Sequence, residues 1–476
     1  ILTPKEMLEG FSNKGMITVA LLFLVSEGIR QSGTLGQVIK KLLPQGKTTV
    51  FKAQLRILPS VAFISAFLNN TPVVVIFAPI IKHWAKSVNL PATKFLIPLS
   101  YVTILGGICT LIGTSTNLVV HGMILEAGFE GFSMFELGKV GIFIAIAGII
   151  YIFLFSKRLL PDARPDTAVP DEEVEEGEKL HRVEAVLGAR FPGINKKLKD
   201  FNFQRHYGAE VKEIKTRNGQ RFVTNLDDVV LHEGDTLVVM ADDTFIPTWG
   251  ESSVFVLLTN GNEPDTSGKK KRWFALLLLV LMIVGATVGE LPVTKEMFPD
   301  IKLDMFFFVS ITTIIMAWTN LFPARKYTKY ISWDILITIA CAFAISKAMV
   351  NSGVADSVAK FIIGLSDDYG PHVLLAMVFI ITNLFTELIT NNAAAALAFP
   401  LALSISAQLG VSPTPFFVVI CMAASASFST PIGYQTNLIV QGIGNYKFTD
   451  FVRIGLPLNI ITFLISIILI PLIWNF

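Results

Sequence analysis

Two short polar stretches, both rich in asparagine, interrupt apolar parts of this sequence. The first is Asn69-Asn70-Thr71, followed by Pro72, and the second is Thr390-Asn391-Asn392. A side-chain amide offers an oxygen atom to a cation and N–H groups to an anion. Proline suits the first turn of a helix, where free N–H groups favour an anion. The two stretches therefore predict two helix starts that could bind small ions.

A second pair of polar stretches lies inside the long apolar runs 95–125 and 414–444. One reaches from Gly106 to Asn117, and the other from Ser425 to Asn437. Unwound backbone is tolerated inside a membrane only where protein or a water-filled cavity surrounds it. Its free carbonyl groups suit a small cation, and the N–H groups at a helix start suit an anion. The alternative is a kinked helix whose hydroxyl groups bond to its own backbone.

Together the four stretches predict a site for an anion and a coupled cation, with hydroxyl, amide and carbonyl groups as ligands. Because hard oxygen ligands suit Na⁺, we expect Na⁺ as the coupling ion. The residues expected to contact the anion are Asn70, Thr71, Thr114, Ser115, Asn391, Asn392 and Thr430. Those expected to bind the cation are Asn69, Asn70, Gly113, Asn117, Thr390, Asn391, Gly433 and Asn437. Glu387, just before the second stretch, is either a proton carrier or a residue that orients it.

The composition indicates a membrane protein. Of the 476 residues, 52% are hydrophobic and 16% are charged, whereas about a quarter of a typical soluble domain is charged. A net charge of +2 gives no reason to expect a nucleic-acid partner. Cys109, Cys341 and Cys421 lie far apart without a CxxC pattern, so we expect free cysteines packed in the interior. Apolar runs of roughly the length of a bilayer crossing lie at 15–31, 95–125, 137–156, 273–291, 303–321, 334–350, 414–444 and 451–474.

The chain contains an internal repeat. The separation along the chain between Asn70 and Asn391 matches that between Asn117 and Asn437 to within a single position. An offset that holds across separate blocks indicates a duplicated membrane unit, which is common among secondary transporters. The apolar arms beside each asparagine-rich stretch look too short to cross comfortably, so these stretches predict the tips of re-entrant hairpins. The alternative is that they cap helices at a membrane surface.

The positions of the basic residues predict an orientation. Lys and Arg cluster after the first span, at the return from the first hairpin and on both sides of 159–272. Alternating crossings place these clusters on one face, which the positive-inside rule makes cytoplasmic. The two halves then insert in opposite directions in the inner (plasma) membrane. Since the second half has two crossings before the counterpart of Ile1, we expect at least two more helices before the first residue.

The fold expected is an all-α polytopic membrane protein of two inverted repeats, with re-entrant hairpins and broken helices, plus a small cytoplasmic α/β domain. The first repeat covers 1–158 and the second covers 273–476. Between them lie an acidic linker at 159–180, a soluble domain at 181–250 and a second linker at 251–272. The domain alternates like short strands around a helix, with Gly234-Asp235 as a turn.

At its asparagine-rich stretches the sequence resembles the divalent anion/sodium symporter family, which includes dicarboxylate and sulfate carriers. That family has a Ser-Asn-Thr triplet at each hairpin tip. Here Asn69-Asn70-Thr71 and Thr390-Asn391-Asn392 keep the central asparagine, while the flanking positions differ. The resemblance implies a homodimer in which a scaffold holds the interface and a transport part moves like an elevator.

The soluble segment is similar to the TrkA C-terminal domain, the ligand-binding half of RCK-type regulators. The matching stretches are 191–194, 203–211 and 231–239. The resemblance implies a regulatory role, with a small ligand or nucleotide as the candidate regulator. Permeases of the symporter family with this insertion resemble sulfate carriers, which implies a small inorganic divalent anion as substrate.

Three other functions stay open at this point. Within transport, they are a dicarboxylate symporter and an arsenite or silicate efflux permease. Outside it, an RCK-type domain could gate a channel, although the sequence has no Gly-Tyr-Gly filter and broken inverted halves suit alternating access better. The sequence shows no HExxH motif or nucleophile–base grouping, so an enzyme is not expected.

Overall fold

The computed structural model describes residues 2–162, 180–188, 190–217, 220–242, 245–249, 254–259, 269–298, 301–323, 327–364 and 370–476. These residues are mostly helical, with one five-stranded sheet between two sets of helices. Within them, six helices are long and apolar enough to cross a membrane, and a bent pair raises the number to seven. The six are Pro4–Gln31, Gly138–Leu159, Lys270–Gly289, Gly370–Leu388, Asn391–Leu409 and Phe448–Ile473. The protein is therefore a polytopic membrane protein.

Over residues 2–162, the first half consists of eight α-helices. The chain turns between the second and third helices at Gly33, which has a φ of +69°. Glycine adopts this left-handed conformation without strain because it has no Cβ atom. The helices are α1 (Pro4–Leu8), α2 (Lys14–Gln31), α3 (Thr34–Leu42), α4 (Val50–Ser65), α5 (Asn70–Ser87), α6 (Leu96–Gly107), α7 (Ser115–Glu126) and α8 (Gly138–Leu159).

A soluble sheet domain follows. Its elements are β1 (His181–Leu187), α9 (Phe203–Tyr207), β2 (Glu210–Lys215), β3 (Arg221–Phe222), β4 (Thr236–Ala241), α10 (Phe245–Trp249) and β5 (Phe255–Thr259). The strand order is β3-β2-β4-β1-β5, and every pair is antiparallel. The predicted boundary at residue 250 is too early, because β5 lies in the expected linker 251–272 and pairs with β1. The predicted linker 159–180 lies largely outside the described residues.

The second half repeats the element order of the first. Its helices are α11 (Lys269–Gly289), α12 (Pro292–Met297), α13 (Met305–Trp318), α14 (Tyr327–Tyr330), α15 (Trp333–Asn351), α16 (Val354–Gly364), α17 (Gly370–Leu388), α18 (Asn391–Leu409), α19 (Thr414–Ser425), α20 (Gln435–Gly444) and α21 (Phe448–Ile473). The helices from α15 to α21 correspond in order to those from α2 to α8. Gly353, with a φ of +72°, lies between α15 and α16, as Gly33 does between α2 and α3.

The helices beside the asparagine-rich stretches are longer than the sequence suggested. The arms α4 and α5 have 16 and 18 residues, whereas α17 and α18 have 19 each. Both arms of the second pair pass the length test for a membrane span. The expectation that the arms are too short to cross a membrane is therefore wrong for α17 and α18. Burial is the better evidence that both tips lie inside the protein, since Asn70 is fully buried and Asn391 is only 8% exposed.

Large apolar side chains point outward from the membrane helices. Leu154 on α8, Leu472 on α21 and Trp318 on α13 are 63%, 74% and 85% exposed. Such a surface suits lipid, since a soluble protein seldom exposes large contiguous apolar patches. All three cysteines are free, as predicted, but only Cys421 is buried. Cys341 is exposed because its position on α15 faces outward, so the expectation of interior packing is wrong there.

The soluble domain docks on α5 and α20 in the membrane part. Lys82 Nζ at the end of α5 donates to both carboxylate oxygens of Glu184 on β1, at 2.9 and 3.0 Å, and Lys215 Nζ adds a third bond at 3.3 Å. Gln441 Nε2 on α20 donates to the Arg217 carbonyl oxygen at 2.7 Å. The domain therefore contacts the helices that follow the first tip and the second break.

The Glu184 carboxylate stays charged at physiological pH. Burial alone would raise its pKa, but attraction to Lys82 and Lys215 outweighs burial and lowers the pKa from 4.5 to about 2. Because the folded pKa lies below the unfolded one, this carboxylate contributes stability above about pH 4.5. The contribution is lost as the pH falls from 4.5 toward 2, so the docking contact is intact from pH 5 to 8.

The contact between α4 and α6 depends on the absence of a side chain at Gly106. A Cβ atom there would overlap the Ala62 carbonyl oxygen, which belongs to backbone and cannot move aside cheaply. We expect Gly106→Ala to destabilise the protein by about 1–3 kcal/mol, as overpacking does in other tight contacts. Thermal unfolding of the purified protein in detergent measures this.

Gly364→Ala is the matched control, because a Cβ atom at Gly364 meets open space and the residue ends a helix. We expect its effect to stay within about 0.5 kcal/mol. Equal melting temperatures for the two variants would contradict the close α4–α6 contact.

Candidate functional site

The two tip asparagines are held in the same way. Asn70 begins α5 and Asn391 begins α18. Ser65 Oγ donates to Asn70 Oδ1 at 2.7 Å, and Thr386 Oγ1 donates to Asn391 Oδ1 at 2.8 Å. Each hydroxyl comes from the preceding arm, just before the turn that leads to its asparagine. It holds the amide oxygen atom and leaves the amide N–H groups to other partners.

The hydroxyl group of Tyr434 connects the first tip to both breaks. Asn70 Nδ2 donates to it at 2.5 Å, and Thr114 Oγ1 lies 3.0 Å from it. Tyr434 is buried at the end of the second break, immediately before α20. The structure therefore brings together Asn70 and Thr114, two of the residues predicted to contact an anion.

Each tip also contacts the broken span of the other half. Thr71 Oγ1 donates to Gln435 Oε1 at 3.3 Å, and Ser115 Oγ donates to Asn392 Oδ1 at 3.3 Å. These two contacts are equivalent, since Thr71 corresponds to Asn392 and Ser115 to Gln435 in the repeat. The four polar stretches form one cluster as a result.

The breaks are held by two buried asparagines. Asn117 Nδ2 donates to the Thr110 carbonyl oxygen at 2.8 Å, and Asn437 Nδ2 donates to the Thr430 carbonyl oxygen at 3.1 Å. These bonds occupy carbonyl groups that the unwound backbone would otherwise leave without partners. Both asparagines thus orient the breaks, in addition to any contact with an ion.

Threonine hydroxyls then tie each break to the hairpin of its own half. Thr110 Oγ1 donates to the Ala66 carbonyl oxygen and accepts from the Gly113 N–H at 3.1 Å. Thr430 Oγ1 donates to the Glu387 carbonyl oxygen at 3.1 Å and accepts from the Gly433 N–H at 3.3 Å. The side chain of Thr430 is therefore engaged in holding the second break.

Oxygen atoms converge around the first tip. A Cβ atom at Gly107 would lie 2.6 Å from Asn70 Oδ1 and 3.0 Å from the Gly113 carbonyl oxygen, so only glycine leaves this space open. Asn117 Oδ1 is buried and has no hydrogen-bond partner among the described residues. Its counterpart, Asn437 Oδ1, accepts from Ser100 Oγ at 2.7 Å. The first half therefore offers a buried oxygen atom that a small cation could bind.

Two predicted cation ligands lie apart from this cluster. Thr390 is exposed, and its hydroxyl caps α18 by accepting from the Ala393 N–H at 3.4 Å. Asn69 is half-buried and lines a cavity between α2, α11 and the first tip, together with Ser115 and Ser26. The structure does not bring their side chains to the tip asparagines, because each lies just before the first turn of its helix.

Glu387 connects the second hairpin to the second break. Its Oε1 accepts from the Ser429 N–H at 2.9 Å and from Asn459 Nδ2 of α21 at 2.7 Å. Ser427 Oγ donates to its Oε2 at 3.5 Å. These bonds fit a role of Glu387 in orienting the second tip better than a role as proton carrier.

Sequence reasoning missed four residues of the cluster, namely Ser65, Thr386, Tyr434 and Gln435. The repeat carried a signal for each of them. Ser65 and Thr386 are separated along the chain by the same offset as the tip asparagines themselves. Tyr434 and Gln435 occupy the repeat positions of Thr114 and Ser115, and both of those residues were predicted to contact the anion.

Comparison with known proteins agrees with this architecture. The model of the citrate transporter family matches residues 1–410 and, in an overlapping segment, 297–475. The uncharacterized transporter sll0640 of Synechocystis sp. is 30% identical over all of this chain and 91% of its own length. Probable sodium/sulfate cotransporter 3 of Chlamydomonas reinhardtii is 23% identical over 97% of this chain and 82% of its own length. Sodium/sulfate cotransporter 2 of the same organism is 31% identical over 59% of this chain and 31% of its own length.

A family match of this extent, together with a relative that aligns over the whole chain, decides the classification. The chain belongs to the citrate transporter family.

Proposed function

We propose that the protein is a secondary active transporter that carries a small divalent anion, such as sulfate, together with Na⁺. The observation that carries this proposal is the single cluster formed by both asparagine tips and both broken spans, with Asn70, Thr114 and Tyr434 buried within it. Membership of a transporter family and the sodium/sulfate cotransporters among the relatives support it.

The anion would bind between the helix starts of α5 and α18. The first turns of both helices present free N–H groups and the positive end of the helix dipole. The amides of Asn70 and Asn391 add donors, and Thr114, Ser115, Thr71 and Asn392 border the same space. Neutral donors attract an anion without the strong hold of a buried Lys or Arg, so the anion can also leave.

The cation would bind beside the first tip. Asn117 Oδ1 is an acceptor without a partner among the described residues, close to the Gly107 and Gly113 backbone and Asn70 Oδ1. Neutral amide and carbonyl oxygens are the ligands that transporters use for Na⁺ at unwound helices. Asn391, Gly433 and Asn437 form the equivalent group in the second half, where Asn437 Oδ1 already accepts from Ser100.

Contacts at the ends of α8 support opposite orientations for the two halves. Lys94, after the first hairpin, donates to the Lys157 carbonyl oxygen at the end of α8, at 2.8 Å. Trp474, after α21, donates to Glu136 before α8, at 3.2 Å, and the Phe476 ring contacts His372 at the start of α17. The open ends of the two hairpins thus lie beside opposite ends of α8.

Inverted repeats that move as an elevator within a homodimer are part of the proposal. The opposite orientations support the inverted repeats, whereas the homodimer is what the family resemblance implies. The soluble part, 159–272, would face the cytoplasm from the plasma membrane. It would act as a TrkA-like regulator that responds to a small ligand or nucleotide. Its docking on α5 and α20 supports this role, because both helices begin at the ion cluster.

A carboxylate substrate is the second candidate. The observation in its favour is the description of the matching family, which names citrate.

Uptake into proteoliposomes tests the coupling and the substrate together. We expect labelled sulfate to accumulate under an inward Na⁺ gradient and uptake to fall to background when choline replaces Na⁺, because the cation site would then lack its ligand. Uptake that ignores Na⁺ but collapses with a protonophore would overturn Na⁺ coupling and make Glu387 a proton carrier. Accumulation of citrate or succinate in place of sulfate would favour the second candidate.

Asn70→Ala and Asn391→Ala should each reduce uptake at least a hundredfold while the protein stays folded. Each substitution removes an acceptor and two donors from the cluster, including the acceptor of the Ser65 or Thr386 hydroxyl, although Thr386 keeps the Ala424 carbonyl oxygen at 2.6 Å. Asn351→Ala, exposed at the end of α15, is the matched control and should keep uptake within about twofold. Near-normal uptake in either tip variant would show that this asparagine only caps its helix.

Lys82→Ala should loosen the docking of the soluble domain without disabling transport. It removes the contact between α5 and Glu184 but leaves Lys215 in place. We expect faster hydrogen exchange in β1 and α20. A second variant has about residues 165–265 replaced by a flexible bridge, and we expect both variants to shift the uptake rate in the same direction. Lys86→Ala, one turn further along α5, should change neither quantity.

Two results would contradict this role of the domain. Complete loss of uptake in a folded variant without the domain would make the domain part of the transport cycle. Unchanged exchange in Lys82→Ala would show that the Lys82–Glu184 contact does not hold the domain.

A further inference from the structure

We infer that Tyr434 determines which size of anion the site accepts, admitting a compact tetrahedral oxyanion and excluding longer dicarboxylates. The inference rests on the proposed function and adds a specificity residue to it. It begins from the position of the Tyr434 hydroxyl, which bonds to Asn70 Nδ2 at 2.5 Å and to Thr114 Oγ1 at 3.0 Å.

Tyr434 contacts its own counterpart in the repeat. Thr114 and Tyr434 occupy equivalent positions of the two halves, just before α7 and α20. Equivalent residues of two halves can touch only where the halves meet, so this pair marks the centre of the cluster. A small threonine and a large tyrosine share that centre. The aromatic ring therefore takes space that a second threonine would leave open.

The space at Tyr434 is short, because two side chains of the first half reach the same hydroxyl. Asn70 Nδ2 lies 2.5 Å and Thr114 Oγ1 lies 3.0 Å from this oxygen atom, so the two atoms lie at most about 6 Å apart, twice the length of one hydrogen bond. That separation suits one compact group whose oxygen atoms reach both side chains. A dicarboxylate with its two charged ends several bonds apart requires a longer space.

The backbone before Tyr434 holds the phenol group in place. A Cβ atom at Gly433 would overlap Ser427 Oγ and lie 2.6 Å from the Thr386 carbonyl oxygen, so this backbone is pressed against α17. Asn437 Nδ2 fixes the same break through the Ser427 carbonyl oxygen at 2.8 Å. This backbone positions the Cα atom of Tyr434, and the bonds to Asn70 and Thr114 hold its hydroxyl group.

The hydroxyl also supplies a hydrogen bond. A phenol donates one O–H without adding charge. An oxyanion between the tips would accept from this O–H and from the amide N–H groups of Asn70 and Asn391. Tyr434 thus contributes both a size limit and a donor, and two substitutions separate these contributions.

Tyr434→Phe removes the donor and keeps the ring, so we expect the KM for sulfate uptake to rise at least tenfold. Tyr434→Thr reproduces the residue of the first half and removes the ring. We expect it to raise the ratio of succinate to sulfate uptake at least tenfold. Tyr151→Phe is the matched control. Tyr151 is a buried phenol on α8, outside the site, and it donates to the Ile454 carbonyl oxygen of α21 at 3.0 Å. This substitution should change neither quantity.

The measurement is initial uptake of labelled sulfate and labelled succinate over a range of concentrations, in proteoliposomes with a Na⁺ gradient, for variants that elute as folded protein. An unchanged KM for sulfate in Tyr434→Phe, together with an unchanged ratio of succinate to sulfate uptake in Tyr434→Thr, would overturn the role of Tyr434. Sulfate uptake by the wild-type protein would uphold the proposed function in that case. A wild-type protein that takes up neither anion would overturn the proposed function, and this inference with it.

Discussion

Backbone that leaves a helix inside a membrane must find its hydrogen-bond partners within the protein, because the lipid offers none. In this chain that requirement is met twice by the same device. The amide N–H groups of Asn117 and Asn437 bond to carbonyl oxygens of the first and second break. Threonine hydroxyls then tie each break to the end of its hairpin arm. The breaks are consequently fixed loops, and the tips that rest against them are fixed as well.

This constraint explains how much of the site could be predicted from sequence. Polar residues inside apolar runs are costly unless they have partners, so their spacing shows where the partners must lie. The offset between Asn70 and Asn391 indicated equivalent positions, and both lie at the start of a helix and accept from a hydroxyl group of the preceding arm. What the spacing could not show is side-chain direction. Thr390 turns toward its own helix as a cap.

Other misses have equally local causes. Strand β5, the last strand of the soluble domain, pairs with β1, the first, and pairing between distant strands leaves no periodic pattern at the boundary. Asn383 lies inside α17 and is a further polar residue that the sequence analysis did not assign to the site. Asn383 Nδ2 donates to the Ala426 carbonyl oxygen of the second break at 2.6 Å. Its amide supports the break in the same manner as Asn437.

The two halves share the supporting groups and differ in those that could contact an ion. Ser65 and Thr386 perform the same task, as do Thr110 and Thr430. In contrast, Asn437 Oδ1 is occupied by Ser100, whereas Asn117 Oδ1 has no partner among the described residues. Supporting groups are constrained by the fold in both halves, so duplication keeps their chemistry alike. Groups that could contact an ion are not constrained in this way, so the halves can differ there, as they do at Thr114 and Tyr434.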